Sequence, residues 1–358
     1  MARRITLESM VIGLGKYISL FCSSIFRVDP YPFCVFGCLY CFAARGRKAN
    51  GEGHSYRVVS LFDRLTKILD SQGINNVVFR LSALTDPFIP SERHVGASLR
   101  IMKICLKRTC KLIINTRSSL LLDDPWLTVL RDLNKQKKVL VQLSITHIDD
   151  ERYRVLEPNA TLPSERFDSL RELTKLGIPI VVRLQPLIPN FNVNIAEDII
   201  LEAYKKGARQ IIVEFIKFAN MDEVRLVTRR IGLNTEILEL LPDNKQYGVK
   251  REVRRKILIR LAKYAEKLGL EFSTCKEGFI SLHTARNCCG MHHLGEYKAR
   301  RTIFDIISHT TNTNTFTEKE IRSLPRPIRR RLTQHEKALL KLYESEEYKR
   351  FLLDTNYN

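Results

Sequence analysis

This 358-residue sequence has no apolar run long enough to span a bilayer and no N-terminal stretch that joins an apolar core to a small-residue cleavage site. The expectation is therefore a cytoplasmic protein with no membrane partner. No internal repeat is visible beyond an alternation of strand-like and helix-like segments. Cysteines number nine, and in a reducing compartment their thiols stay free, so the fold should not depend on disulfides. Acidic residues are in deficit: 39 Asp and Glu face 59 Lys and Arg, a formal charge of +20. A surface of ion-pair networks, the competing explanation, would be nearly balanced. The excess points instead to a polyanionic partner, usually nucleic acid, because each neutralised phosphate releases condensed counterions.

What is present is a β-α rhythm from about residue 16 to 275. Strands are expected at Ile18 to Arg27, Asn76 to Ala83, Lys111 to Thr116, Val139 to Thr146, Pro179 to Pro186 and Gln210 to Phe215. Helical patterns lie between them, at Ser60 to Ser71, Glu92 to Leu106, Pro125 to Asn134, Pro163 to Leu176 and Ile195 to Lys206. This is an α/β chain, a partial (β/α)6 barrel over 1–275 followed by a basic, mainly helical extension over 276–358. In such folds the chemistry sits at the carboxyl ends of the strands. An irregular excursion from Ile216 to Lys250 is expected to form a lid or substrate wall, and a basic helix follows it. The polar run HTTNTNTFTEKE reads as a linker or exposed loop.

Three cysteines stand close together in DPYPFCVFGCLYCFAARG, within a loop at 30–45 that follows the first strand. Cys34, Cys38 and Cys41 offer three thiolates where tetrathiolate clusters and structural zinc want four ligands. Buried small hydrophobes, or a zinc knuckle completed from a distance, are the plainer alternatives. Pro30 and Pro32 exclude a helix, and Gly37 lets the chain fold around a bound group. The spacing CxxxCxxC, with Tyr40 before the last cysteine, resembles the signature of radical S-adenosylmethionine (SAM) enzymes.

Further segments narrow that likeness. The set comprises DPY before the cysteines, LTDPFIPSE, INTRS, SI in the fourth strand, LEPNATLPSERFDSLRELTKLGI and PLIPNFN. Together these resemble the spore photoproduct lyase-like branch of the radical SAM superfamily, which is associated with DNA repair. The resemblance covers most of residues 27 to 216. It implies a 4Fe-4S iron-sulfur cluster on Cys34, Cys38 and Cys41, with SAM on the open iron and a reduced ferredoxin or flavodoxin-like electron donor. It implies that Ser144, Arg166 and polar residues of the second strand, such as Thr85 and Asp86, contact or position SAM. Read from the strand ends themselves, Ser82, Thr85, Asp86, Ser144 and Gln185 are polar groups at the right level, and Arg166 is a fork suited to a carboxylate. The implied activity is lyase-like chemistry on a nucleic acid, with RNA or a peptide as other substrates. A non-enzymatic zinc and nucleic-acid-binding protein is the reading from a different class. The lesion-repair lyase returns hydrogen from a barrel cysteine, whereas Val141 to Thr146 here contains none.

A second group, Cys275, Cys288 and Cys289 in TCKEGFISLHTARNCCGMHH, stands among His283, His292 and His293. An auxiliary iron-sulfur cluster or zinc site, redox-active thiols, and buried structural cysteines are all open readings. Cys22, Cys105 and Cys110 fall in strand or helix patterns and should be core. For nucleic acid the candidate contacts are Arg254 and Arg255 on the basic helix, and the triplet Arg329, Arg330 and Arg331.

Overall fold

In a computed structural model of the chain, the described residues are 26–41, 43, 54–241, 246–302, 305–306 and 314–345. Most of the first expected strand, and Cys22 with it, lie outside them. The rhythm read from sequence becomes β1 (Phe26–Val28), α1 (His54–Ser71), β2 (Val78–Leu81), α2 (Ala97–Lys107) and β3 (Lys111–Thr116). It continues through α3 (Trp126–Lys135), β4 (Val139–Ser144), α4 (Pro163–Lys175), β5 (Ile180–Leu187), α5 (Ala196–Lys205) and β6 (Gln210–Phe215).

These strands are parallel neighbours in sequence order, and a seventh, β10 (Glu271–Thr274), pairs in parallel with β6. Among the described residues the sheet is thus one strand larger than expected, a partial barrel in which β1 and β10 do not pair. Alternation along each strand divides its residues between two layers. Phe79, Leu112, Ile114, Val139 and Val141 join the main core under the helices. The intervening Val78, Ile113, Leu140, Val181 and Ile212 form a second apolar layer on the inside of the barrel. Helix α1 shows how the outer layer docks. Val58, Phe62, Leu65 and Leu69 recur on one face, and the Phe62 ring meets Phe79 edge-on at 4.9 Å.

The excursion after β6 is not irregular. It holds β7 (Lys217–Phe218), α6 (Met221–Ile231), β8 (Leu238–Leu240) and β9 (Tyr247–Val249), with the strands in a small antiparallel sheet of order β7-β9-β8. Asn220 caps α6 by accepting from the Glu223 amide, and Gly232 ends it in the left-handed region. The expected basic helix is α7 (Arg251–Lys267), packed against α5 and β10.

The end of the supposed linker opens a helix. Thr317 and Glu320 form a reciprocal capping box that starts α8 (Glu318–Ser323), and α9 (Arg326–Glu344) follows. Leu324, Ile328 and Leu332 join the main core, so the extension is packed onto the barrel, not tethered to it. Among the described residues no helix is long and apolar enough to cross a membrane.

Candidate active site and the cysteine loops

The first cysteine loop leaves β1 at the carboxyl end of the sheet. Asp29, in the DPY segment, accepts from the amides of Ala83, Leu84 and Thr85 at 2.9, 2.7 and 3.3 Å, which fixes the loop after β1 to the loop after β2. Gly37 adopts φ +64°, the left-handed turn its position requires. From the other side the segment after β4 holds the loop, through Leu39 N to Leu156 O at 2.9 Å and Asn159 N to Phe36 O at 3.3 Å. Phe36 is buried beneath the loop with Tyr31, Ile89, Tyr153 and Ala160, while Cys34, Cys38 and Cys41 remain partly exposed free thiols. Burial, then the nearby Asp86, pushes the Cys34 thiol up to about 11; burial and Glu157 push Cys38 up as well. Three soft donors on one braced loop, none in a disulfide, fit a thiolate-held metal cluster.

The brace converges on Glu157, which is wholly buried. Its carboxylate accepts from the hydroxyls of Tyr40 and Tyr153 and from Thr146 at 3.0 Å. It also faces Arg166 Nη2 at 3.0 Å and Arg117 Nε at 3.2 Å. Burial pushes the Glu157 carboxyl above its ordinary value, while Arg117 and the hydroxyls oppose that. Burial and then Arg117 pull the Arg166 guanidinium down to about 9, still protonated at neutral pH. The sequence does not announce Glu157 because two of its partners, Tyr40 and Arg117, come from distant loops, and Thr146, Tyr153 and Arg166 of its own segment turn toward it only in the fold. No local spacing announces such a hub.

Several expected SAM contacts turn out to be committed to the protein. Arg166 spends its fork on Glu157 and on the Ser144 carbonyl, 2.7 Å away, so it positions the strand end and is not open to a ligand carboxylate. Asp86 is buried and accepts from Phe88 N, Thr116 Oγ1 and Arg117 N at 2.9, 2.8 and 2.7 Å. Ser82 is buried with its hydroxyl 3.0 Å from that of Thr85, which is partly exposed. Gln185 is also partly exposed and bridges Arg183 and Glu214. Below this level Arg80 and Arg183 each donate to Gln142 Oε1 at 3.1 Å. Glu214 pairs with Lys217 at 3.0 Å; burial opposes its charge, but Lys217, Lys276 and Arg183 hold the carboxyl down to about 2.

The second cysteine group is split: Cys275 follows the carboxyl end of β10, whereas Cys288 and Cys289 lie toward the other end of the barrel. Residues 287–299 fold back into the amino ends of the strands, where Cys289, Met291, Leu294 and Ala299 cover the inner apolar layer. Gln142 donates to Cys289 O at 2.7 Å, Gln210 to Cys288 O at 3.3 Å, and Lys111 to Leu294 O at 2.7 Å. The Cys289 sulfur sits 3.1 Å from Arg80 Nη2 and 4.0 Å from the Cys288 sulfur. A hydrogen bond from Cys288, against burial and aided by Arg80 and Arg183, draws the Cys289 thiol well below its ordinary value. Cys275, just past β10, is pushed up to about 11 by burial and Glu214. Cys105 and Cys110 are core, as expected.

The basic residues divide. Arg254 falls on the buried face of α7 with Leu258 and Leu261, bonded to Glu277 and to Val249 O, so it does not belong to an exposed nucleic-acid surface. The helical spacing of Arg254 with those leucines was the available signal. Arg255 is exposed. On α9, Arg329 and Arg330 are exposed and line a shallow groove with Arg326, Thr333, Gln334 and Lys337, whereas Arg331 is partly buried.

Residues 28–203 match the family model described as the Radical SAM superfamily. Among curated proteins, an uncharacterized protein of Methanocaldococcus jannaschii is 26% identical over 46% of this chain and 60% of its own length. The Radical SAM Nalpha-GlyT isomerase of Pseudomonas phage M6 is 22% identical over 71% of this chain and 54% of its own. The chain thus spans only about half to three fifths of the curated relatives it matches. Among solved structures, a spore photoproduct lyase mutant with dinucleoside spore photoproduct superposes with a TM-score of 0.55 at 13% identity, covering 72% of this chain and 78% of that one. A second lyase mutant, with bound AdoMet as well, gives 0.54 at 13% identity, covering the same 72% and 78%.

Proposed function

We propose that this chain, which belongs to the radical SAM superfamily and has a spore photoproduct lyase-like fold, is an enzyme that abstracts hydrogen from a nucleic acid. The observation that carries this reading is three free, partly exposed cysteines on a braced loop at the carboxyl ends of the strands. Cys34, Cys38 and Cys41 would hold the 4Fe-4S cluster, which with SAM supplies a 5'-deoxyadenosyl radical when reduced by a ferredoxin or flavodoxin-like donor. Thr85 and Gln185 are the partly exposed polar groups at that level that can meet SAM. Ser82, Asp86, Ser144 and Arg166 act behind them, fixing the strand-end loops. Glu157 and Arg117 tie Tyr40 to the strand ends, so the loop keeps its shape while a ligand exchanges. The buried Arg80, Gln142 and Arg183 lie below them, linked through Gln142 Oε1, and would keep water from the bound groups on that side.

Support for nucleic acid comes from charge. The groove on α9 presents Arg326, Arg329, Arg330 and Lys337 without an acidic residue in its lining. Such a surface suits phosphates spaced along a backbone. The structural neighbour that carries a dinucleoside photoproduct points to the same substrate class.

The test is anaerobic reconstitution, iron and sulfide analysis, and a dithionite-driven assay for 5'-deoxyadenosine from SAM, with DNA, RNA or peptide added. Iron-dependent 5'-deoxyadenosine that rises with DNA is expected. Cys38→Ala should reduce it to the level of protein without iron. Cleavage retained by that variant, or a colourless zinc-loaded protein without cleavage, overturns the enzyme reading. Stimulation by peptide alone, with neither DNA nor RNA effective, overturns the nucleic-acid assignment.

A further inference from the structure

We propose a divalent transition-metal site of the zinc class at the closed end of the barrel, formed by Glu271, His292 and His293. It is separate from the first cysteine loop, which lies at the opposite end of the strands, and from the three cysteines considered for a second metal. The geometry is set by the plug. Gly290 turns at φ +75°, and Asn287 Oδ1 accepts from the amides of Cys289 and Met291 at 2.9 and 3.2 Å. Met291 and Leu294 are then driven into the inner core, which leaves the two intervening histidines side by side over the first residue of β10.

The histidine rings lie 4.0 Å apart at 43°. His292 Nε2 is 2.8 Å and His293 Nε2 3.3 Å from the same oxygen of Glu271. All three donor atoms lie within 4.8 Å of one another, the group of three that does so among the described residues. Tetrahedral zinc, with bonds of about 2.0–2.1 Å to nitrogen and oxygen, separates its ligands by about 3.3 Å. The His293 edge already has that length, and the His292 edge needs to open by about half an ångström.

Both histidine side chains are about nine-tenths buried, at 11% and 10% exposed, while Glu271 stays open at 32% and gives an ion a way in. Satisfaction of polar atoms supplies the second observation. His293 Nε2 is buried without a hydrogen-bond partner although it faces the other two donors. A histidine pair that served only as a hydrogen-bonded cap would need one ring, not two. A metal ion would take the Nε2 atoms of both rings and the carboxylate together, giving His293 Nε2 the partner it lacks and leaving His292 Nδ1 as it is. Two imidazoles and a carboxylate leave outer positions to water, so the ion would staple the plug to β10.

The experiment uses full-length protein with its iron-sulfur cluster loaded, so that Cys34, Cys38 and Cys41 are not free to capture zinc. Zinc per chain is measured after dialysis against a defined free zinc concentration, and thermal midpoints are measured with and without zinc. The variants are Glu271→Gln, His293→Ala, and Cys275→Ser with Cys288→Ser. About one zinc per chain is expected for the protein and for the cysteine variant, with a zinc-dependent rise in midpoint. Loss of a ligand should weaken zinc roughly tenfold or more and abolish the rise. Glu271→Gln keeps the side chain's volume and a carbonyl oxygen toward His292, and its midpoint without zinc separates lost binding from lost fold. Zinc retained by His293→Ala, zinc lost from the cysteine variant alone, or no zinc in any protein overturns the site. None of these readouts depends on SAM cleavage.

Discussion

The two ends of the barrel use the same residue types to opposite effect. At the carboxyl end, cysteines stand on a loop held from behind, with Glu157 buried beneath, Arg117 partly buried beside it and the cysteines partly exposed. At the amino end, Cys289 is itself the buried part, pressed between Arg80 and an apolar layer, and the polar side chains of the strands are spent on the carbonyls of the plug. The difference lies in where backbone hydrogen bonds go. A plug must satisfy its own amides and carbonyls inside the barrel, so Gln142 and Gln210 face it. A ligand site must leave its donors unsatisfied, so its bracing comes from outside the loop. Cysteine density alone therefore does not mark chemistry; the direction of support does.

The largest expected effect on stability tests the carboxyl end. Glu157→Ala leaves the buried Arg166 guanidinium, and the partly buried Arg117, without their carboxylate and should cost about 3–5 kcal/mol. Urea unfolding would measure this, and iron bound per chain after reconstitution should fall with it, because Tyr40 and the Arg117 brace lose their anchor. A cost under about 1 kcal/mol, within the range of an exposed pair, would show that the hub does not hold the loop.

Much of the outer architecture was legible in the sequence because it depends on local pattern. Continuous apolar runs gave β3 through β6, and helical periodicity gave α1 and the basic α7. Strand β10 escaped because EFST offers a single large apolar residue, and its burial comes from β6 and the plug, not from its own composition. The capping box at Thr317 and Glu320 was readable, but the polar run before it suggested a loop. The cysteine triad announced itself by spacing. Its supports did not, since Glu157, Arg117 and Tyr40 meet only when separate loops fold together. The plug is the same case. The density of cysteine and histidine at 275–293 was plain, yet nothing local says that residues 287–299 enter the barrel or that Glu271 receives His292 and His293.

A second experiment sharpens the contrast at the amino end. Gly290 combines a left-handed backbone with a crowded neighbourhood: a Cβ there would meet Val181 Cγ2 at 2.9 Å, Gln210 Oε1 at 3.1 Å and Leu140 Cδ2 at 3.2 Å. Gly232, at the end of α6, has φ +65° and nothing within 4 Å. Gly232→Ala should cost only the backbone penalty, about 1–2 kcal/mol. Gly290→Ala adds overpacking and should cost about 2–4 kcal/mol in all. Equal effects of the two substitutions in urea unfolding would mean that the plug is loosely seated and that the inner layer is not a packed core.

The smallest effect concerns the outer fastening of the plug, where the chain leaves the barrel at Arg300. His335, on α9 and wholly buried, faces Arg300 Nη1 through Nδ1 at 3.2 Å and donates from Nε2 to the Arg301 carbonyl at 2.9 Å. That arrangement needs a neutral ring. Burial, and then Arg300, draws its value from 6.5 down to about 4. Between those two values the unfolded chain takes up a proton that the folded one refuses, so stability falls as pH drops through the window and levels off below it. Between pH 7 and pH 5, about 1.5 units of that window, the loss should be roughly 2 kcal/mol, each pKa unit being worth about 1.4. Hydrogen exchange of the α9 amides at pH 7 and pH 5, corrected for the intrinsic rate, should show local opening at the lower pH. His335→Phe should lower protection at both values but flatten the difference between them. An unchanged pH difference in that variant would place the proton elsewhere and detach α9 from the fastening of the plug.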